Sequence, residues 1–541
     1  MMKRLLLPFL FFCTFFRVSA QQPERPALVI GLVVDQMRWD YLYRYADRYG
    51  NDGFRRLLRE GFSCENTFIP YTPTYTAPGH ACIYTGSVPS LHGIVSNTWW
   101  DRSIDTTMYC THDNAVHGIG SNSKGGKMSP KNLWASTITD ELRLATNFRN
   151  KTVAIALKDR GAILPGGHTA NAAFWFDNES ESWITSSFYG NALPAWVSAF
   201  NAKRMPQQYL QRNWNTLFPI DSYVQSSRDT AYWEGKQPGG TNYFPHRTDT
   251  LKGYLAMEAF RTSPWGNNFT LEFAKAAVAA ERLGKGRFTD FLTVSLSSTD
   301  YVGHTFGPNS IEMEDTYLRL DRELAAFLSF LDAQVGKGKY LLFLTADHGA
   351  AHTPAYANDQ RLPAGRISDY ALMDSLNAAL SRTFNVPRAV RSLINYQVYL
   401  NEEMISNAHA DRAAIKQFIM NRLLRIPGIS KVIDLDNIAA APLPPKIRDM
   451  VLNGYNQKLS GNIQYVFKPQ WFDWGGVTGT THGAPYPYDS HIPLLWFGWK
   501  QKPGRLVREV YMTDIAATLA ALLRVQMPNG CIGQPIPEVV R

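Results

Sequence analysis

The chain has 541 residues, 45% hydrophobic and 19% charged, which is the composition of an ordinary folded protein and excludes a disordered or low-complexity polymer. That length accommodates one large α/β domain with insertions or two to four smaller ones. The formal charge of +9 is mild for such a length; without a dense Lys/Arg run it points to small anionic ligands and to no nucleic-acid partner.

Met1-Met2-Lys3-Arg4, the apolar run Leu5 to Phe16, and Val18-Ser19-Ala20 read as a leader for export, cleaved after about 20 residues. Its removal takes Lys3, Arg4 and Arg17 and leaves +6. The expected location is periplasmic or secreted. The leader is too short to anchor, and no later run approaches the roughly 20 apolar residues of a spanning helix. Cys64, Cys82, Cys110 and Cys531 remain, and an oxidising compartment permits two bridges among them in any of three pairings. The absence of a CxxC pair argues against a thiolate zinc site.

Ala27 to Val34 is an unbroken Val/Ile/Leu-rich run ending at Asp35, the pattern of a strand buried on both faces of a parallel sheet. Next comes Tyr71-Thr72-Pro73-Thr74-Tyr75-Thr76-Ala77-Pro78-Gly79-His80. Its prolines and glycine argue against a regular helix, and Pro78-Gly79 should turn the chain and expose the Thr76 hydroxyl as a nucleophile, provided a base or metal activates it. Asn97 is a candidate amide donor. Ser129-Pro130 should open a helix running to about Thr146.

Thr152 to Lys158 reads as a strand with the exit Lys158-Asp159-Arg160. If the exit stays extended, Lys158 and Arg160 reach one anion together while Asp159 faces away. Residues 178–247 have weak periodicity and suggest an irregular excursion, and Leu271 to Leu283 reads as a helix. Phe291 to Leu296 is a further buried strand, delivering Asp300 and His304 one helical turn apart. Met313, Tyr317, Leu320, Leu324, Phe327 and Leu331 form the apolar stripe of the next helix. Tyr340 to Thr345 is a strand ending in Ala346-Asp347-His348-Gly349. Residues 358–470, with a helix from Asp411 to Arg425, read as an inserted subdomain. His482 stands in a glycine-rich loop, Pro493 to Phe497 restores a core strand, and Thr513-Asp514 caps a last helix to about Leu523. The expected organisation is a leader (1–20), a core in three pieces (21–177, 248–357 and 471–541) and two insertions (178–247 and 358–470).

Asp35, Asp300, Asp347, His304, His348 and His482 thus fall mostly at the ends of buried strands, where one sheet edge gathers them. Three carboxylates and three imidazoles suit zinc better than magnesium or calcium. Six are too many for one catalytic zinc and divide into a two-metal site. His80, His92, His168 and His491 read as hydrogen-bonded loop or core histidines.

In this order, and with Thr-x-Thr-Ala-Pro-Gly-His, Lys-Asp-Arg and Ala-Asp-His-Gly, the chain resembles the alkaline phosphatase superfamily. Within it, it is most similar to secreted bacterial alkaline phosphatases with a threonine nucleophile, kin of the nucleotide pyrophosphatase/phosphodiesterases. The resemblance implies a three-layer α/β sandwich around a mostly parallel sheet, with inserted cap segments. It implies two Zn2+, one held by Asp300, His304 and His482, the other by Asp35, Asp347 and His348 with the Thr76 hydroxyl. Asn97, Lys158 and Arg160 would bind the phosphoryl oxygens of a small phosphate monoester, and the expected state is a monomer. The Lys/Arg pair argues against a phosphodiesterase or phosphonate hydrolase, the missing C/S-x-P-x-R motif against a sulfatase, and the leader against a phosphoglycerate mutase. The alternatives are a phosphodiesterase/nucleotide pyrophosphatase of the same superfamily and a metal-stabilised binding protein without catalysis.

Overall fold

The structure, a computed structural model, describes residues 24–541; the leader lies outside the described residues. Its centre is a sheet of eleven strands. Eight of them frame the molecule: β1 (Leu28–Val34), β2 (Phe62–Phe68), β3 (Thr152–Ala156), β4 (Ala172–Asp177), β5 (Ser182–Ser186), β6 (Asp290–Leu296), β7 (Tyr340–Thr345) and β8 (Leu494–Gly498). They lie in the order β2-β8-β7-β1-β6-β3-β4-β5. The five central strands, β7 to β4, run parallel, while β8, β2 and β5 join antiparallel to their inner neighbours. Every residue of β1, β3, β6 and β7 is buried, as expected for strands covered on both faces. Val33 of β1 pairs with Ser295 of β6 and Thr345 of β7, so these strands end level, at one edge.

Four helices position or support the residues at that edge: α1 (Thr76–Thr85), α2 (Asp159–Gly166), α3 (Ser298–Phe306) and α4 (Ile311–Leu331). The expected apolar stripe of α4 is buried throughout. Helix α1 contradicts the turn expected for its segment, because it begins on Thr76 itself and continues through Pro78-Gly79. Pro78 is its third residue, where the missing N–H would have had no intrahelical acceptor, so proline costs nothing there. Thr76 is accordingly buried, not exposed. Gly31 in β1 lets this helix approach: a Cβ there would collide with the Tyr84 hydroxyl.

Other boundaries differ from expectation for similar local reasons. The helix expected from Ser129 begins at Ile138, because Thr137 and Asp140 form a reciprocal capping box while Ser129 only closes a turn onto Lys131. The helix expected from Leu271 starts earlier, at Trp265. The excursion 178–247 is not wholly irregular; Ser182–Ser186 is β5, and two short helices follow it. The helix ending at Leu523 is followed by a short one, Pro537–Val540.

Residues between 358 and 470 form a second, four-stranded sheet, in the order Val390–Ile394, Gln397–Leu400, Ile463–Phe467, Ile429–Asp434. It carries its own apolar core, including Leu376, Val398, Ile415 and Tyr465. Two carboxyls tie its first helix to the strand Trp471–Asp473: burial, then the neighbouring Asp473, pushes Asp369 up to about 9, against an ordinary value of about 3.9. A raised folded value means stability that is complete below the unfolded value and lost as pH rises through about 9. Thermal melts from pH 7 to 10 should therefore show a falling melting temperature, and Asp473→Asn should flatten that decline by on the order of 1–3 kcal/mol at the alkaline end.

Candidate active site

The parallel strands deliver their carboxyl-terminal residues to one edge. Asp35 follows β1, Lys158 follows β3, Asp300 lies in the first turn of α3 after β6, and Asp347-His348 follow β7. The ends are cross-linked: Asp35 N–H donates to Leu296 O at 3.1 Å, and the Thr299 hydroxyl donates to Asp35 O at 2.6 Å. Asp35, Asp300 and Asp347 are all buried, and so are His348 and His482. Three buried carboxylates together demand cations or protons.

The histidines are held in a common way. Nδ1 of His304 donates to Thr480 O (2.8 Å), Nδ1 of His348 to Gly349 O (2.9 Å) and Nδ1 of His482 to Thr74 O (2.6 Å). A carbonyl can only accept, so in each ring the proton sits on Nδ1 and Nε2 faces the carboxylates, the arrangement of a metal ligand. His304 Nε2 lies 3.1 Å and His482 Nε2 3.9 Å from Asp300 Oδ1. His348 Nε2 lies 3.6 Å from Asp35 Oδ1 and 3.5 Å from Asp347 Oδ2. Burial holds His348 down to about 3, and His482 also falls well below the ordinary imidazole range. Asp35 Oδ1 and Asp347 Oδ2 are buried with no hydrogen-bond partner.

Among the described residues, two sets of ligand atoms are mutually close enough for a metal: Asp300, His304 and His482, and Asp35, Asp300 and His348. The first is the set the resemblance implies. The second has Asp300 where Asp347 was expected; Asp347 turns Oδ1 to the backbone N–H groups of Gln36 (3.1 Å) and His348 (3.0 Å) and keeps Oδ2 toward His348 Nε2 at 3.5 Å. Thr76 Oγ1 stands 3.3 Å from His348 Nε2, beside the second set.

The two basic residues differ from expectation in geometry. The chain does not stay extended past Lys158: α2 starts at Asp159, with Lys158 in the capping position. Lys158 Nζ lies 2.7 Å from Asp35 Oδ2 and 2.6 Å from Asp300 Oδ2, inside the ligand cluster. Burial works against its charge, but Asp300 and Asp35 prevail and raise its pKa. Arg160 donates from Nη1 to the Tyr109 hydroxyl at 3.0 Å, and that hydroxyl donates to Asp159 at 2.8 Å. Asn97 accepts the Ala77 N–H on Oδ1 (2.8 Å), which leaves its amide N–H groups as donors next to Thr76.

A sequence model for type I phosphodiesterase / nucleotide pyrophosphatase matches residues 29–472. The chain belongs to that family. Alkaline phosphatase PhoV of Synechococcus elongatus is 50% identical over 97% of this chain and 94% of its own. A protein of Myroides odoratus described as a calcium-transporting ATPase is 49% identical over 98% of each chain. A crystal structure of wild-type alkaline phosphatase PafA superposes with a TM-score of 0.93 at 47% identity, over 96% of this chain and 99% of that one. The fold is thus the alkaline-phosphatase-like sandwich.

Within this family member, several residues around the site carried no sequence signal. Gln36 is buried, adopts φ +64, and donates from Nε2 to Asp300 Oδ1 at 2.7 Å while its backbone holds Asp347. Gly303 makes room for it, since a Cβ there would strike the Gln36 amide oxygen. Asp489 accepts Gly483 N–H (3.0 Å) and Ala484 N–H (2.8 Å), fixing the loop after His482. His80 is buried, bonded to Thr76 O (2.9 Å) and Ser295 Oγ (2.8 Å), a core histidine as its sequence context suggests. Cys64, Cys82, Cys110 and Cys531 are free thiols.

Proposed function

We propose that this phosphatase is a zinc-dependent alkaline phosphatase acting on small phosphate monoesters through a phosphothreonine on Thr76. The observation that carries the reading is the set of three imidazoles, each with Nδ1 pinned to a carbonyl and Nε2 turned to buried carboxylates beside the Thr76 hydroxyl. Asp300, His304 and His482 would hold one zinc, and Asp35, His348 and Asp347 or Asp300 the other. Bound there, two zincs would supply an acidified alcohol and neutralisation of the leaving oxygen.

Thr76 Oγ attacks phosphorus in line, the P–O bond to the alcohol breaks, and the phosphoryl group rests on Thr76. Water then attacks phosphorus, releases phosphate and restores the hydroxyl. Asn97 donates to a phosphoryl oxygen from the amide nitrogen left available by its bond to Ala77. Lys158 neutralises Asp35 and Asp300 in the structure; with zinc held by those carboxylates its ammonium would be free to join Arg160 on the remaining charge. A monoester presents nearly two negative charges and three free oxygens, which suits this pair; a diester substituent would need the space they fill.

Kinship supports the phosphatase part of the reading, since four of the similar proteins carry the name alkaline phosphatase. No helix among the described residues is long and apolar enough to cross a membrane. Export through the leader and a monomeric state belong to the same proposal. The test is hydrolysis of an aryl phosphate after chelation and after zinc return. Chelation should lower kcat/KM at least about 100-fold, with recovery on addition of two equivalents of zinc. Full activity in the chelated protein would overturn the metal assignment.

A further inference from the structure

The second sheet reaches the site through a hairpin turn. The strands Val390–Ile394 and Gln397–Leu400 are joined by a two-residue turn, Asn395-Tyr396, with φ +60 and +61. Positive φ at both positions is a type I′ hairpin turn, which favours Asn then Gly. Tyrosine at the second position bears a steric cost of about 1 kcal/mol or more that glycine would avoid. Its side chain is buried: the ring packs on Tyr465 and Phe467 of its own sheet, and the hydroxyl reaches past that sheet to the metal-ligand loop, donating to His482 O at 3.0 Å. Gly483, at φ +124, permits that approach, as a Cβ would come within 2.7 Å of the hydroxyl. The Tyr396 ring also lies 6.2 Å from that of Tyr75, the residue before Thr76.

Asn395 does the equivalent for the other side of the pocket. Ser96 Oγ donates to Asn395 Oδ1 at 2.8 Å, and Asn395 Nδ2 donates to Thr98 O at 2.8 Å. The two bonds bracket Asn97, whose own side chain is tied to the first turn of α1. One strained turn therefore holds the residues flanking Asn97 and the backbone of His482, while His482 Nδ1 holds the chain two residues before Thr76.

We infer that the Asn395-Tyr396 turn is a positioning device of the inserted segment, with Tyr396 aiming His482 and Asn395 aiming Asn97. This rests on the function proposed above. The conservative variants separate the two arms: Tyr396→Phe removes one hydroxyl and keeps the ring, and Asn395→Gly removes the side chain from a turn that glycine suits. Zinc affinity is measured by competition with a chelator, and phosphate affinity by titrating inorganic phosphate into the zinc-loaded protein.

Tyr396→Phe should weaken one of two zinc sites about 10-fold or more and leave the other unchanged. Asn395→Gly should weaken phosphate binding about 5-fold and leave both zinc affinities at the wild-type value. Wild-type zinc and phosphate affinities in both variants would overturn the inference, as would equal losses in both titrations for both variants, which a merely structural turn would produce. A wild type that binds two zincs but cleaves no phosphate ester would sink the proposed function alone; the zinc titration of Tyr396→Phe would still decide the role of the turn.

Discussion

Replacing Thr76 by alanine is expected to lower kcat for an aryl phosphate by about 10,000-fold or more while both metals stay bound, because the nucleophile is lost and its neighbours are not. Thr76 begins α1 with its backbone fixed by Tyr75, Pro78 and the His80 contact, so alanine should fit without disturbance. Thr76→Ser keeps an alcohol at the same place and should retain turnover. Metal content by elemental analysis, alongside kcat, distinguishes loss of chemistry from loss of metal. Residual activity of Thr76→Ala within 10-fold of wild type would mean that another group, or a directly attacking water, performs the displacement.

The second large effect concerns the choice of substrate. Lys158→Ala with Arg160→Ala should cut kcat/KM for an aryl phosphate by about 1,000-fold, since the two charge-assisted contacts proposed for the phosphoryl group are removed together. The matched methyl aryl diester should change by less than about 10-fold, because it lacks the charge those groups meet. The ratio of the two rate constants, measured in one preparation, is the readout. A wild-type enzyme preferring the diester would shift the assignment to the phosphodiesterase branch of the family.

Lys158 is also bonded to Asp35 and Asp300. Zinc should therefore raise the melting temperature more in Lys158→Ala than in wild type, because the variant has lost the ammonium that bridges those two carboxylates.

What the sequence discloses depends on how locally each feature is encoded. A strand such as Leu28–Val34, apolar at every position, announces a doubly covered parallel strand, and the acid that ends it must lie at the carboxyl edge. Four such strands are legible, and with them the edge that collects Asp35, Lys158, Asp300 and Asp347. Asp300 and His304 need only one helical turn to be placed.

Sequence patterns mislead where the local signal is ambiguous or the partner distant. Pro78-Gly79 is a turn signature in mid-chain but harmless in the first turn of a helix, and only packing against β1 determines which holds. Lys158-Asp159-Arg160 reads at strand period, yet α2 starts within it, and Asp159 is drawn to Tyr109 and Thr111, about fifty residues away. Gln36 and Tyr396 act from left-handed backbone on groups far along the chain, and nothing in a Gln or a Tyr by itself marks that role.

Everything proposed for the site requires a phosphoryl group to rest on Thr76. Zinc-loaded enzyme mixed with excess substrate at mildly acidic pH, where breakdown of the intermediate is slowed, can be quenched in acid, digested and weighed by mass spectrometry. The peptide carrying Thr76 should gain the mass of one phosphoryl group, located on that threonine, and the gain should vanish in Thr76→Ala. Steady release of phosphate with that peptide unmodified at every quench time would contradict it.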